Sequence, residues 1–172
     1  MRPGLRKVAL AAHLTVSVGW VGAAAAYLAL DVVAATSRDE QALRAAFIGM
    51  DLVAGSVIVP LAVATLLTGI VMSLGTRWGL FRHWWVVISL ALTAFAATVL
   101  VLETQTISTM AAVAADPSNS GDDLRGLGNT LVHSVGGIVV LIAILVMNVV
   151  KPRGLTRYGW HQQERERGRQ PD

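Results

Sequence analysis

The stretch VALAAHLTVSVGWVGAAAAYLAL, residues 8–30, contains no Asp, Glu, Lys or Arg. A helix needs about 20 apolar residues to cross the roughly 30 Å hydrocarbon layer of a bilayer. Comparable apolar runs follow at residues 52–74, 84–102 and 131–150. The four runs predict an all-α protein, a four-helix transmembrane bundle whose membrane domain covers residues 1–152.

The composition of the chain agrees with a membrane protein and excludes cysteine chemistry. Of its 172 residues, 54% are hydrophobic and 15% are charged, against about 25% charged residues in an ordinary soluble domain. The chain has no cysteine. Disulfides, thiolate metal ligands and cysteine nucleophiles are therefore excluded.

Most of the 14 basic residues lie before the first run, between the second and third, and after the fourth. They are Arg2, Arg6, Lys7, Arg77, Arg82, Lys151, Arg153, Arg157, Arg165, Arg167 and Arg169, whereas the intervening loops hold Arg38, Arg44 and Arg125. By the positive-inside rule both termini should be cytoplasmic. This distribution predicts a multi-pass protein of the cell inner membrane. The basic residues form no patch interleaved with aromatics, so the expected partner is the lipid bilayer and not nucleic acid.

The segments between the runs predict two helical extensions and a basic tail. Ser37-Arg38-Asp39-Glu40 has the form of a capping box, so a helix should begin near Ser37 and continue into the second span. The third span should continue outward until Asp116-Pro117, and Pro60 should kink the second. Residues 153–172 should form a basic cytoplasmic tail, disordered in its final stretch because apolar residues are missing there.

Each apolar run carries small and polar residues at helical spacing, which indicates one face directed at a protein interior. The stripes are His13, Ser17, Trp20, Ala24, Tyr27 and Asp31; Asp51, Gly55, Ile58, Ala62, Thr65 and Gly69; Ser89, Thr93, Ala96, Leu100 and Glu103; and Asn129, His133, Gly136, Val140, Ala143 and Met147. Four such faces can be buried against one another in a bundle. Simple packing, with every polar group satisfied by a neighbour, would produce the same pattern.

Asp31, Asp51, Glu103 and His133 fall near the predicted outer side of four different spans. Three carboxylates and one imidazole could bind a divalent metal ion. They could also relay protons, since burial raises carboxylate pKa values. Alternatively, these span-end residues simply meet water and lipid headgroups.

His13, Trp20 and Tyr27 could line a second pocket, for a haem or a quinone. His13 lies near the cytoplasmic end of its span, so it should be roughly 15 Å or more from His133 along the membrane normal, at about 1.5 Å per residue. Two ligands of one metal ion lie only about 4 Å apart. A haem held by both histidines is therefore disfavoured, and the cofactor stays unknown, with a divalent metal ahead of haem.

The first span pairs His13 with Trp20-Val21-Gly22 two turns later, and the stretch from Pro60 ends in Leu66-Leu67-Thr68-Gly69. Over about residues 5 to 152 the chain resembles the copper-resistance D type membrane domain and related uncharacterised bacterial four-helix proteins. The resemblance implies a four-span membrane fold and, for some relatives, copper handling.

The absence of soluble-enzyme motifs such as G-x-S-x-G, Walker A or H-E-x-x-H favours a non-enzymatic protein. The leading hypothesis is a small transporter-like unit or an accessory subunit with an ion or proton site near the outer face. A haem- or quinone-binding redox protein is the alternative. A homo-oligomer, or a structural partner of another membrane protein, is a further possibility, through the small-residue face around Gly22.

Overall fold

The computed structural model describes residues 1–76 and 79–168, and most of them are helical. The helices are α1 (Pro3–Thr36), α2 (Glu40–Val53), α3 (Val59–Gly75), α4 (Trp84–Ala115), α5 (Gly121–Gly126), α6 (Leu131–Val150) and α7 (Arg157–Arg167). Within the described residues, four segments are long and apolar enough to cross a membrane: Pro3–Thr36, Glu40–Gly75, Trp84–Ala115 and Leu131–Val150. The predicted all-α bundle of four membrane helices is confirmed.

The four long segments pack in a ring. Helix α1 contacts α3 and α6, and α4 also contacts α3 and α6. Met1 lies against Gly75, and an antiparallel bridge joins His83 to Leu155. The N-terminus and the segment after α6 are therefore at the same end of the bundle, here called the terminal end, and the opposite end is called the loop end.

The second span contains a π-helical turn over Ala54–Ile58, which joins α2 to α3 without a break. The amide of Val59 donates to the carbonyl of Ala54, five residues earlier. Pro60 follows immediately and has no amide hydrogen, so it cannot form the next α-helical bond. The disturbance predicted at Pro60 thus takes the form of a π turn.

The loop end holds the most completely buried side chains of the described chain. Phe47, Leu43 and Met50 from α2 and Leu124 from α5 are each exposed by 1% or less. Helices α2 and α4 pack side by side there, as the predicted helical extensions required. Removal of these large apolar groups from water stabilises this end of the protein.

Arg44 ties the same end together through its guanidinium group. It donates to the carbonyls of Ala114 and Asp116, each at 2.8 Å, and to the carbonyl of Asn119. It also pairs with Glu40 at 2.7 Å. The amide and hydroxyl of Ser118 donate to the Asp116 carboxylate and lower the pKa of Asp116. The loop after α4 is therefore held by charge-assisted hydrogen bonds.

The predicted capping box at Ser37 is wrong by two residues. Helix α2 begins at Glu40, and its N-cap is Asp39, whose carboxylate accepts from the amide of Ala42 at 3.1 Å. Glu40 pairs with Arg44 instead of reaching back to Ser37. An aspartate is as good an N-cap as a serine, and here it also leaves Glu40 available for the arginine.

The prediction of a disordered final stretch is wrong for residues 163–167, which belong to α7. Thr156 caps this helix by accepting from the Gly159 amide, and Arg82 forms an ion pair with Glu166 at 2.9 Å. The cap and the ion pair, whose Arg82 lies just before α4, stabilise α7 although it has few apolar residues. Residues 169–172, the end of the predicted tail, and Arg77 and Trp78 lie outside the described residues.

Candidate functional site

A cavity of about 440 Å³ lies between α1, α4 and α6, and is called here the lateral cleft. Its walls are mostly apolar and include Trp20, Leu100 and Leu141. Phe95 and Val132 on its rim are 61% and 83% exposed, so the cleft opens sideways to the surroundings of the bundle. Its polar side chains are Tyr27, Glu103, Thr130, His133 and Ser134. They gather toward the loop end, because α4 runs toward that end and α6 begins there.

Asp31 is buried beside the cleft and is bound by donors from the start of α6. The amide and hydroxyl of Thr130 donate to its carboxylate at 3.2 and 2.9 Å, and the hydroxyl of Ser134 donates at 2.7 Å. Since the Thr130 hydroxyl proton points to Asp31, Tyr27 donates its own to Thr130 Oγ1 at 3.0 Å. Both carboxylate oxygens are satisfied, as burial of a polar group requires.

Glu103 and His133 face each other at the polar end of the lateral cleft. Oε1 of Glu103 lies 3.7 Å from Nε2 of His133, and the side chains are 27% and 56% exposed. Both residues line the cavity. A carboxylate beside an imidazole can hold and exchange a proton, or pair with a polar group that enters the cleft. Of the predicted ligand set, these two residues are brought together.

Asp51 faces a different neighbour. Its carboxylate accepts from the hydroxyl of Ser108 on α4 at 2.6 Å, and it is not part of the cleft wall. Within the described residues no three His, Cys, Asp or Glu side chains converge in a way that could hold a metal ion. The residues of the predicted metal centre therefore lie in three separate places: Asp31 accepts from Thr130 and Ser134, Asp51 accepts from Ser108, and Glu103 lies beside His133.

His13 is separated from the other two predicted pocket residues. Its Nδ1 lies 2.9 Å from the hydroxyl oxygen of Thr68, and its ring packs against Gly69 on α3. The Thr68 hydroxyl itself donates to the Ala64 carbonyl at 2.7 Å, so it accepts from His13 and the Nδ1 nitrogen carries the proton. Trp20 and Tyr27 line the lateral cleft, but His13 does not.

In the fourth span the predicted stripe is less buried than in the other three, although His133, Gly136 and Val140 line the lateral cleft. In α1, α3 and α4 the stripe residues Tyr27, Thr65 and Thr93 are buried as expected. In α6 the stripe residues Gly136 and Ala143 are exposed. Thr130, Ser134, Gly137, Leu141 and Ile144 each lie one residue after a predicted stripe member and are more buried than it is. A shift of one residue turns a helix face by about 100°.

Thr130, Ser134 and Ser108 were not predicted as site residues. Thr130 and Ser134 are spaced i, i+4 at the start of α6, and this spacing would place both hydroxyls on one face. The neighbouring His133 was predicted instead, since an imidazole indicates a metal or proton site more strongly than a hydroxyl does. Ser108 lies beyond the third apolar run, next to the buried Ile107, and a serine hydroxyl in this segment does not indicate a partner by itself.

Comparisons of the chain with protein-family models, with curated proteins and with solved structures give no match. The resemblance to the copper-resistance D type membrane domain consequently stays a prediction.

Proposed function

We propose that this multi-pass membrane protein is a non-enzymatic carrier-like unit or accessory subunit that binds a lipid-soluble molecule in the lateral cleft. The observation that carries the proposal is the composition of this cavity. Its walls are apolar, while an acid–imidazole pair, Glu103 and His133, lies at one end. Binding sites for small molecules combine an apolar lining with a few placed polar groups in this way.

The size and opening of the cleft support the same conclusion. A volume of about 440 Å³ is within the range of small-molecule sites. The exposed rim residues Phe95 and Val132 would meet acyl chains in a bilayer, so an apolar ligand could enter without crossing water. Its polar head would then lie beside Glu103 and His133. These two residues would form the ion- or proton-binding site of the proposed carrier or subunit.

A quinone-type ligand is a second candidate, in a redox role. It is favoured by the imidazole of His133 at the polar end, because quinone carbonyl oxygens accept hydrogen bonds and an imidazole N–H can donate one. A haem shared by His13 and His133 is not supported. His13 packs on α3 against Thr68 and is not on the cleft wall.

The experiment compares the molecules that co-purify with two variants of α6. In Gly137→Phe the ring would fill the cleft, since nothing lies within 4 Å of a Cβ at Gly137. Ala143→Phe adds similar bulk on an exposed part of the same helix, outside the cleft. Lipid-soluble molecules are extracted from each purified protein and identified by mass spectrometry. We expect one species to be lost in Gly137→Phe and retained in Ala143→Phe.

A titration measures the role of the acid–imidazole pair. Trp20 lines the cleft, so its fluorescence should respond to a benzoquinone with a decyl tail, used as the probe. Loss of the imidazole donor in His133→Ala should weaken binding of this probe by about tenfold, because a quinone carbonyl oxygen accepts a hydrogen bond from the imidazole N–H. The part of the fluorescence change that is missing in the variant Trp20→Phe comes from Trp20. Equal ligand content in wild type and Gly137→Phe would overturn the proposal, and probe binding without quenching of Trp20 would place the quinone elsewhere.

A further inference from the structure

We propose that the terminal end of the bundle holds a binding site for the headgroup of an anionic phospholipid. The site is a groove of about 830 Å³ lined by Arg82, His83, Trp85, Lys151, Pro152, Arg153, Gly154, Leu155, Gln163 and Glu166. It is at the opposite end of the molecule from the polar groups of the lateral cleft. Its ligand, its residues and its test are independent of the function proposed for that cleft.

The groove is built by backbone contacts between the start of α4 and the segment after α6. The amide of Trp84 donates to the Gly154 carbonyl at 3.2 Å, and the amide of Thr156 donates to the Arg82 carbonyl at 3.1 Å. The bridge between His83 and Leu155 lies between these bonds. Arg82 and Arg153, distant in the sequence, are thus held on two sides of one groove before any ligand arrives, which lowers the entropy cost of binding.

The charges of the groove favour an anion. Among the described residues of its lining, three are cationic, namely Arg82, Lys151 and Arg153, and one is acidic, Glu166. Glu166 pairs with Arg82 at 2.9 Å. Cationic residues outnumber acidic ones in the described lining, and the side chains of Lys151 and Arg153 are exposed. Basic pockets between membrane helices are the usual sites for phosphate-bearing lipid headgroups.

The position of the groove identifies the anion as a lipid and not a soluble phosphate. It lies where α4 begins and α6 ends, at the boundary of two apolar spans. Phe81 and Trp84 beside it are 59% and 53% exposed, and Tyr158 and Trp160 on α7 are 57% and 55% exposed. Such aromatic rings lie at the level of the headgroups, so acyl chains would follow the apolar surfaces of α4 and α6.

The test is native mass spectrometry of the full chain in a neutral detergent, titrated with phosphatidylglycerol or with phosphatidylcholine of the same acyl chains. We expect wild type to retain phosphatidylglycerol preferentially. The variant Lys151→Gln/Arg153→Gln should lose about tenfold or more in apparent affinity, since each basic residue near an anionic surface contributes about fivefold. The control Arg2→Gln/Lys7→Gln removes the same charge from exposed residues at the terminal end but outside the groove, and it should change affinity less than twofold.

Two further arms complete the test. The variant Lys151→Gln/Arg153→Lys should bind phosphatidylglycerol more tightly than Lys151→Gln/Arg153→Gln. This result would show that a cation is needed at position 153 and that misfolding does not cause the loss of affinity. Glycerol phosphate in millimolar excess should not displace the lipid. Equal losses in the groove variant and its control, or displacement by glycerol phosphate, would overturn the proposal.

Discussion

Asp31 fixes the position of the start of α6, beside the lateral cleft. Its buried carboxylate satisfies the amide and hydroxyl of Thr130 and the hydroxyl of Ser134. Through Thr130 it also orients the phenol of Tyr27, which lines the lateral cleft. A metal ligand would need an oxygen lone pair directed at the ion, whereas these lone pairs are directed at donors from α6. We therefore interpret Asp31 as the group that fixes α6 against α1.

Asp31→Ala should destabilise the protein by about 2 kcal/mol or more, because buried donors are left without an acceptor. Asp31→Asn retains one acceptor oxygen and should cost less. The measurement is thermal unfolding of the purified protein in detergent. Asp51→Ala is the matched control, since the carboxylate of Asp51 accepts from Ser108, an exposed residue. Similar losses for Asp31→Ala and Asp51→Ala would contradict this role of Asp31.

Among the elements, α6 and α7 depart furthest from what periodicity predicts. Helix α6 is apolar around most of its circumference, and of its residues Leu141 alone is buried. Its rotation is therefore decided by a few hydrogen bonds at its start and not by its hydropathy. Helix α7 has few apolar residues, but its capping by Thr156 and the ion pair of Arg82 with Glu166 hold it against the start of α4.

Gly159→Ala should detach α7 from the bundle. Gly159 is buried, and a Cβ at this position would collide with the carbonyl oxygen of Arg82. We expect trypsin to cut after Arg157 and Arg165 at least several times faster in this variant, while thermal unfolding of the membrane helices stays unchanged. Tyr158→Ala, at an exposed neighbouring position, provides the control. Equal cleavage rates in Gly159→Ala and wild type would show that α7 does not depend on this close approach.

The whole molecule has two chemically different ends. The loop end contains the densest packing and the polar side of the lateral cleft. The terminal end contains the N-terminus, the groove of Arg82 and Arg153, and α7. The positive-inside rule predicts that the groove faces the cytoplasm and that the polar end of the lateral cleft faces the opposite side.

Cysteine labelling tests this orientation directly, because the natural chain has no cysteine. Ala115→Cys lies at the loop end and Arg165→Cys at the terminal end, both at exposed positions. A membrane-impermeant maleimide added to intact spheroplasts should label Ala115→Cys and leave Arg165→Cys unlabelled until the membrane is opened. The reverse pattern would invert the predicted topology and place the lateral cleft's polar end on the cytoplasmic side.

Hydropathy and helical spacing were enough to predict the number of membrane helices, their approximate limits, the helical extensions of the second and third spans, and the burial of Trp20 and Tyr27. These properties follow from hydropathy and spacing along one segment, which need no knowledge of the neighbours. The disturbance near Pro60 was predictable for the same reason, since it follows from a missing amide hydrogen.

Which polar residues contact one another depends on how the helices pack. In the folded protein Glu103 lies beside His133, and His13 contacts Thr68. The carboxylate of Asp51 accepts from Ser108, and that of Asp31 accepts from Thr130. Because α6 is apolar on almost every side, its own sequence gives little energetic preference for one rotation about the helix axis over another. The rotation is therefore set by contacts with residues far away in the chain, and a difference of one residue moves a side chain to another face.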